Sequence, residues 1–301
     1  MSGAIISDKQ MADKQTQGGV LYVVATPIGN LEDITLRALR VLGHVDLILA
    51  EDTRVSHRLL RRFAITTPMK ALHEHNEQKM APWVVDRLHE GMSIALISDA
   101  GTPSLRDPGF HLTRALRMQG KKVVPIPGPS ALVCALSAAG LPADRFVFEG
   151  FLPVKQEARR RRLQALVEDP RTLVVYEAPH RILMTVRDMV GILGDRRQAV
   201  IARELTKAFE TLYSGSLPMI ERWLEQDRNH QRGEFVLVIE GKPKADPEGE
   251  HGTMAEESIT EEDRRVLHLL MEELPLKKAV ILAARLTGRK KNALYRIALR
   301  G

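Results

Sequence analysis

The chain has 301 residues, 44% of them hydrophobic and 27% charged, which is enough to bury two domains and an appendage. A lone cysteine, Cys134, excludes an intramolecular disulfide framework and suits a reducing compartment, and no Cys-x-x-Cys or His-x-x-x-His spacing offers a metal site. The net charge of +6 understates the basic surface, because the segment from Asp246 to Asp263 holds eight acids and no Lys or Arg. The polar stretch 1–17 lacks the apolar core of a signal peptide, and the most apolar tract, Val123 to Leu141, is broken by Pro125, Pro127 and Pro129. The expectation is a cytoplasmic protein with no membrane span.

In chain order, residues 1–18 read as a disordered extension. From Val20 the short apolar runs VLYVVA (20–25), VDLILA (45–50), SIALIS (93–98) and KKVVPI (121–126) read as strands separated by helical patterns. Runs this apolar, without period-2 alternation, suit a parallel sheet covered on both faces. A second series, FVFEGF (146–151), TLVVYE (ending at Glu177), AVIARE (199–204) and EFVLVIEG (234–241), predicts a second α/β unit with a more mixed sheet, and His180 to Leu193 predicts one of its helices. The expected boundaries are 19–128 for the first α/β domain, 129–242 for the second and 243–258 for an acidic linker rich in Pro and Gly. Residues 259–301 form a helix-turn-helix-like module. In it Thr260 caps a helix towards Glu273, Pro275 opens another through Arg285, and Gly288 breaks it before a third near Asn292.

Ligands of open α/β sheets gather beyond the carboxyl ends of the strands, so the turns there are the places to inspect. Thr26-Pro27-Ile28-Gly29-Asn30 follows the first strand; Gly29 permits close backbone approach, while Asn30 or Asp33 equally serves as a helix cap. With one glycine it is not a dinucleotide or Walker-type loop. Glu51-Asp52-Thr53-Arg54 follows the second run; an N-cap explains Asp52 or Thr53, and carboxylates there can also orient or deprotonate a hydroxyl. Asp99-Ala100-Gly101-Thr102-Pro103 and Asp107-Pro108-Gly109 read either as turn punctuation or as a loop whose backbone reaches an amino-acid-like ligand. Small residues at Gly128, Ser130 and Ala131 allow a flat group, or a close-packed helix, against the backbone. The second half adds Tyr176-Glu177-Ala178-Pro179-His180-Arg181, then Arg203 to Lys207 with Glu210, then Gly233-Glu234. His73 and His75 read as loop residues and Cys134 as core. The basic run Arg159 to Arg162 and the cluster Arg289, Lys290, Lys291 fit either a polyanionic partner or a solvated helix face.

Taken together and in this order, these turns resemble the tetrapyrrole methylase superfamily over roughly Gly19 to Gly241. The strings ATPIGNLEDIT (25–35), AEDTR (50–54), SDAGTPSLRDPG (98–109), PGPSALVCALSAAGLP (127–142), YEAPHRI (176–182) and ARELTKAFE (202–210) look like its branch that methylates small-subunit ribosomal RNA. The tail AARLTGRKKNALYRIAL (283–299) also looks like that branch. The resemblance implies a homodimer of two-domain subunits that bind S-adenosylmethionine between the domains and methylate the 2′-hydroxyl of a cytidine ribose in the decoding region. By motif matching, the cofactor touches Gly101, Thr102 and Leu105, then Ser130 and Ala131, then Tyr176, Leu205, Glu234 and Phe235, with Asp99 an additional candidate. Catalysis falls to Glu51 and Asp52 with Arg54 orienting them, and to Lys207 and Glu210 as second choices. RNA contacts fall to Lys155, Arg159, Arg160, Arg161, Arg162, Arg289, Lys290 and Lys291, with no metal. Two rival readings are a methyltransferase of tetrapyrroles or other small molecules, which the single Gly29 of the first loop disfavours, and a non-catalytic RNA-binding ribosome-assembly factor.

Overall fold

The computed structural model describes residues 19–242, 260–289 and 291–299. The expected N-terminal extension, the acidic linker and Lys290 lie outside the described residues. The rest falls into two compact units, one on either side of the 243–259 gap. Among the described residues no helix is long and apolar enough to cross a membrane.

The first unit holds two five-stranded sheets. Strands β1 (Val20–Val24), β2 (Leu47–Ala50), β3 (Met69–Ala71), β4 (Ser93–Ile97) and β5 (Lys122–Ile126) form one of them in the order β3-β2-β4-β1-β5. Every pairing in it is parallel. Its three central strands β1, β2 and β4 are almost wholly apolar because both of their faces are covered. Val24, Ile48, Ala50, Ala95 and Ile97 pack under helices α1 (Leu36–His44) and α2 (Thr53–Arg62). The alternate residues Leu21, Leu49, Ile94 and Leu96 pack under α3 (Glu77–His89) and α4 (Phe110–Met118).

Helix α5 (Ala131–Ala138) leads into the second sheet, built from β6 (Phe146–Phe151), β7 (Thr172–Glu177), β8 (Gln198–Arg203), β9 (Thr211–Ser216) and β10 (Phe235–Ile239) in the order β6-β7-β10-β8-β9. It is mixed, as expected: β6 and β7 run parallel, and the other three pairings are antiparallel. Leu173, Val175, Ile201, Leu237 and Ile239 face a core completed by α6 (Gln156–Gln164), α7 (Ile182–Leu193) and α8 (Leu217–Gln226). Val174, Val200, Val236 and Val238 face α5.

Strands β3 and β9 were not legible in the sequence. Each is an edge strand, with three residues in β3 and half-polar TLYSGS in β9, so neither needs an apolar run. The second unit has α9 (Glu261–Glu273), α10 (Leu276–Thr287) and α11 (Lys291–Ala298) around Leu267, Val280, Ala283 and Leu294. Thr260 and Asp263 form a capping box at its start, and Gly288 closes α10 at φ 71°.

One sequence expectation is corrected by packing. Arg159 does not face solvent: it is fully buried on α6, its Nε 2.8 Å from Asp188 of α7, so it has no route to a phosphate. Removing one member of a buried pair strands the other's charge. Arg159→Ala is therefore expected to lower unfolding free energy by about 3–5 kcal/mol in urea titrations, while Arg161→Ala, on the exposed side of the same helix, leaves it within about 0.5 kcal/mol.

Candidate active site

The turns after β1, β4 and β5 are tied to one another. Thr26 and Gly101 exchange backbone hydrogen bonds of 2.9 and 3.0 Å, the Thr26 hydroxyl donates to the Ser98 carbonyl at 3.0 Å, and the Thr102 hydroxyl donates to the Pro129 carbonyl at 3.0 Å. Gly101 sits at φ 81°, a conformation that glycine adopts without steric cost. The far end of this loop is anchored by buried Glu77, which accepts from Gly109 N–H at 3.0 Å and Leu112 N–H at 2.8 Å, so its carboxylate caps α4. Gly109 has φ 134°, and a Cβ there would stand 2.5 Å from Ser104 Oγ.

The second lobe meets this surface at a seam. Ile28 joins the core under α5, and Asn30 N–H donates to Thr206 Oγ1 at 3.2 Å. Leu132 N–H donates to the Tyr176 hydroxyl at 3.0 Å, tying the start of α5 to β7. Between the lobes lies a cavity of about 330 Å³. Of the residues expected at a cofactor site, it brings together Gly101, Thr102, Leu105, Ser130 and Ala131 from one side and Tyr176, Leu205, Glu234 and Phe235 from the other. Asp99 is outside this lining; it accepts from Asp52 N–H at 3.0 Å, in the acidic turn beside the cavity. The lining also contains Arg106 and Phe151, which the sequence did not single out, and Asp107, which the sequence placed in a ligand-reaching loop or a turn without giving it a role. Arg106, at φ 73°, lays its guanidinium 5.8 Å from the centre of the Phe151 ring, bridging the lobes at the cavity.

Several expected chemical groups turn out to be engaged. Asp52 caps α2 through Arg54 N–H at 2.8 Å and binds the Arg54 side chain at 3.1 and 2.6 Å; these hydrogen bonds hold its carboxyl down at about 2. Asn30 caps a single 3-10 turn, and Thr35, rather than Asp33, caps α1. Glu51 accepts from Asp99 N–H at 3.3 Å, and burial pushes its pKa up. Lys207 reaches Glu204 at 2.9 Å and Glu234 at 3.0 Å; burial works against its charge, but these carboxylates outweigh it and keep the ammonium protonated. Glu210 accepts from Thr206 N–H at 2.6 Å and so fixes the seam loop. Glu177 is buried and accepts from Thr185, Ala178 N–H and Arg181, an internal clamp that gives YEAPHR a folding role. On the basic helix, Lys155 and Arg161 are exposed, Arg160 is half paired with Asp188 at 3.8 Å, and Arg162 binds Glu149 at 2.7 Å. In the second unit Arg289 binds Asp263 at 2.9 Å and Lys291 is exposed.

Two α/β lobes closing at their strand ends on a ligand-sized cavity define a class, and comparison with known proteins agrees with it. The model of the Tetrapyrrole (Corrin/Porphyrin) Methylases matches residues 20–221, and that of the RsmI C-terminal HTH domain matches 257–301. Solved structures share the fold. Uroporphyrin-III-C-methyltransferase of Thermus thermophilus superposes with TM-score 0.53 at 21% identity, covering 74% of this chain and 94% of that one. A structure of that enzyme complexed with S-adenyl homocysteine gives 0.52 at 18%, covering 74% and 97%. The chain belongs to the tetrapyrrole methylase family, and within it to the ribosomal RNA small subunit methyltransferase I group. Relatives of that description are 56% identical in Pseudomonas aeruginosa, over 93% of this chain and 97% of the relative, and 51% identical in Escherichia coli O157:H7, over 97% and 98%.

The seam supplies a test of the geometry. A Cβ on Gly29 would stand 2.5 Å from Lys207 Cγ and 2.9 Å from Thr206 Oγ1. Gly29→Ala is expected to push the lobes apart and cost about 1–3 kcal/mol in a urea melt; an unchanged midpoint would mean that the 206–207 loop yields freely.

Proposed function

We propose that this chain uses S-adenosylmethionine to methylate the 2′-hydroxyl of a cytidine ribose in the decoding region of small-subunit ribosomal RNA. The observation that carries the reading is near-full-length similarity to relatives named for small-subunit ribosomal RNA methylation, at half or more of all positions. The cavity fits the cofactor in its chemistry. Ile28, Leu205 and Val236 give apolar walls for a flat base, and Gly101 and Ala131 keep the backbone approachable. Glu177 and Glu234 in its wall are offset by Arg181 and Lys207, so the remaining negative charge comes from Asp107, with Glu51 and Asp99 beside the cavity, against Arg106; that balance favours a ligand with an ammonium and a sulfonium.

In this proposal the lobes divide at residues 128 and 129, and Gly101, Thr102, Leu105, Ser130, Ala131, Tyr176, Leu205, Glu234 and Phe235 hold the cofactor. When bound, it supplies an electrophilic methyl group, so the protein's work is to align the hydroxyl and exclude water. Glu51 and Asp99 add negative charge beside the cavity, and the Asp52–Arg54 pair shapes the turn that carries them. A hydroxyl at the ribose 2′ position separates RNA from DNA, and sequence-specific sites on RNA are mostly unpaired. Lys155 at the start of α6 and Arg160 and Arg161 along it, with Lys291 in the tail, supply phosphate contacts. The homodimer expected from the resemblance remains part of the proposal and is read by light scattering.

The deciding experiment is transfer of labelled methyl from S-adenosylmethionine to small ribosomal subunits from a strain lacking this protein, with nuclease mapping of the product. Label on one cytidine ribose is expected; measurable cofactor binding with no label on RNA would redirect the reading to a small molecule. Affinity for the subunit should fall steeply with salt, and replacing both Arg160 and Arg161 by Ala should flatten that slope by about 0.7–0.9 for each phosphate the two arginines neutralise. An unaltered slope removes these arginines from the RNA surface.

A further inference from the structure

Methyl transfer to a ribose hydroxyl needs somewhere for the proton to go, and the carboxylates around the cavity differ in what they have left to offer. Glu177 is consumed by Arg181, Thr185 and its own neighbouring amide. Glu234 is paired with Lys207, and Asp52 is paired with Arg54 and lies outside the lining. Glu51 and Asp99 also lie outside it, each accepting a backbone N–H of the adjoining turn. Asp107 is in the cavity wall, half-buried, and among the described residues no cation pairs with it.

Its position is fixed. Ser104 N–H donates to the Pro108 carbonyl at 3.2 Å, Leu105 N–H to the Thr102 carbonyl at 3.4 Å, and Gly109 N–H to buried Glu77, so Asp107 rides on a loop pinned at both ends. The groups facing it come from both lobes: Ser98 and Asp99 after β4, Glu51 after β2, its neighbour Arg106, and Tyr176 on β7. Burial pushes the Asp107 carboxyl up to about 6, the charges of Glu51 and Asp99 add to the rise, and the Ser98 hydroxyl opposes it. The Tyr176 phenol is raised by its own burial and then by Asp107, and its oxygen already accepts the Leu132 N–H.

We infer that Asp107 is the group in this cavity that accepts the proton of the nucleophilic hydroxyl during methyl transfer. The inference rests on the reading of the chain as a ribose methyltransferase. As the hydroxyl oxygen forms its bond to the methyl carbon, the carbon–sulfur bond breaks with its electron pair remaining on sulfur. The O–H bond breaks with its proton moving to an Asp107 carboxylate oxygen. The products are a methyl ether, a neutral thioether and a protonated Asp107, which returns its proton to solvent. A carboxylate with a pKa raised towards neutrality is a better base than one held at about 2 by an arginine, which is why Asp107 takes the role in preference to Asp52.

The test uses the full chain with Asp107→Asn, reading S-adenosylmethionine binding by calorimetry and single-turnover transfer to small ribosomal subunits between pH 5 and 9. Cofactor affinity should fall far less than the rate, by no more than about tenfold for the one charge removed from the wall, while transfer falls by about 10²–10⁴, the usual contribution of a positioned base. The carboxylate acts only when ionised, so the wild-type kcat/KM should rise with pH through about 6 and level off above it. The variant's residual activity should lack that step. Asp107→Glu, which keeps the carboxylate, should recover part of the rate and restore the step, and it stands in if the amide variant fails to fold. Wild-type-like transfer and pH dependence in Asp107→Asn overturn the inference while the proposed function stands. Loss of cofactor affinity equal to the loss of rate overturns it in favour of a cofactor ligand. If the wild-type protein labels no ribose on RNA, the function reading fails and takes the inference with it.

Discussion

Two backbone hydrogen bonds between Thr26 and Gly101 set the geometry on which the site depends. They join the turns after β1 and β4, neighbours in the parallel sheet, and so fix where the long loop from Ser98 to Gly109 begins. Buried Glu77 fixes where it ends. The protein's own hydrogen bonds thus hold Gly101, Thr102, Leu105 and Asp107 towards one cavity, the kind of support that a preorganised site needs. The remaining wall is brought up by Ile28 packing under α5 and by the Asn30–Thr206 contact, so a single turn, ATPIGN, serves both the first sheet and the interlobe seam.

Electrostatics sort the acidic residues into different kinds of work. Strong partners commit Glu177 and Asp188 to folding, because a buried carboxylate without a cation or several donors is costly. Asp52 is committed to its helix cap and to Arg54. What remains at the cavity is a small excess of negative charge around Asp107, in a place where burial raises rather than lowers its proton affinity. That excess suits a cationic methyl donor, and the residual basicity suits proton transfer from a hydroxyl.

Much of this was legible in the sequence for physical reasons. Parallel strands covered on both faces must be apolar, so the central strands β1, β2 and β4 announced themselves, and the Val-Val-Pro-Ile run of the edge strand β5 was apolar enough to read as well, whereas the edge strands β3 and β9 had no such obligation. The turns of interest followed from strand polarity alone, since ligands collect beyond carboxyl ends. Local spacing does not reveal which charges are spent internally. Arg159 and Arg161 are two residues apart on one helix, and only the packing of α6 against α7 sends the first into the interior and leaves the second outside. Asp107 read as part of a turn beside Pro108 and Gly109. The one available signal was its place in a loop after a central strand; that no cation among the described residues pairs with it is a tertiary fact.

The most direct measurement is a crystal structure of the full chain with S-adenosylhomocysteine, the product left by methyl transfer. The ligand is expected inside the interlobe cavity, touching both the Gly101–Leu105 loop and the Ala202–Leu205 segment, with its sulfur open to the space beside Asp107. Ligand bound elsewhere on the molecule, or seated so that its adenosine shields the sulfur from Asp107, would contradict that expectation.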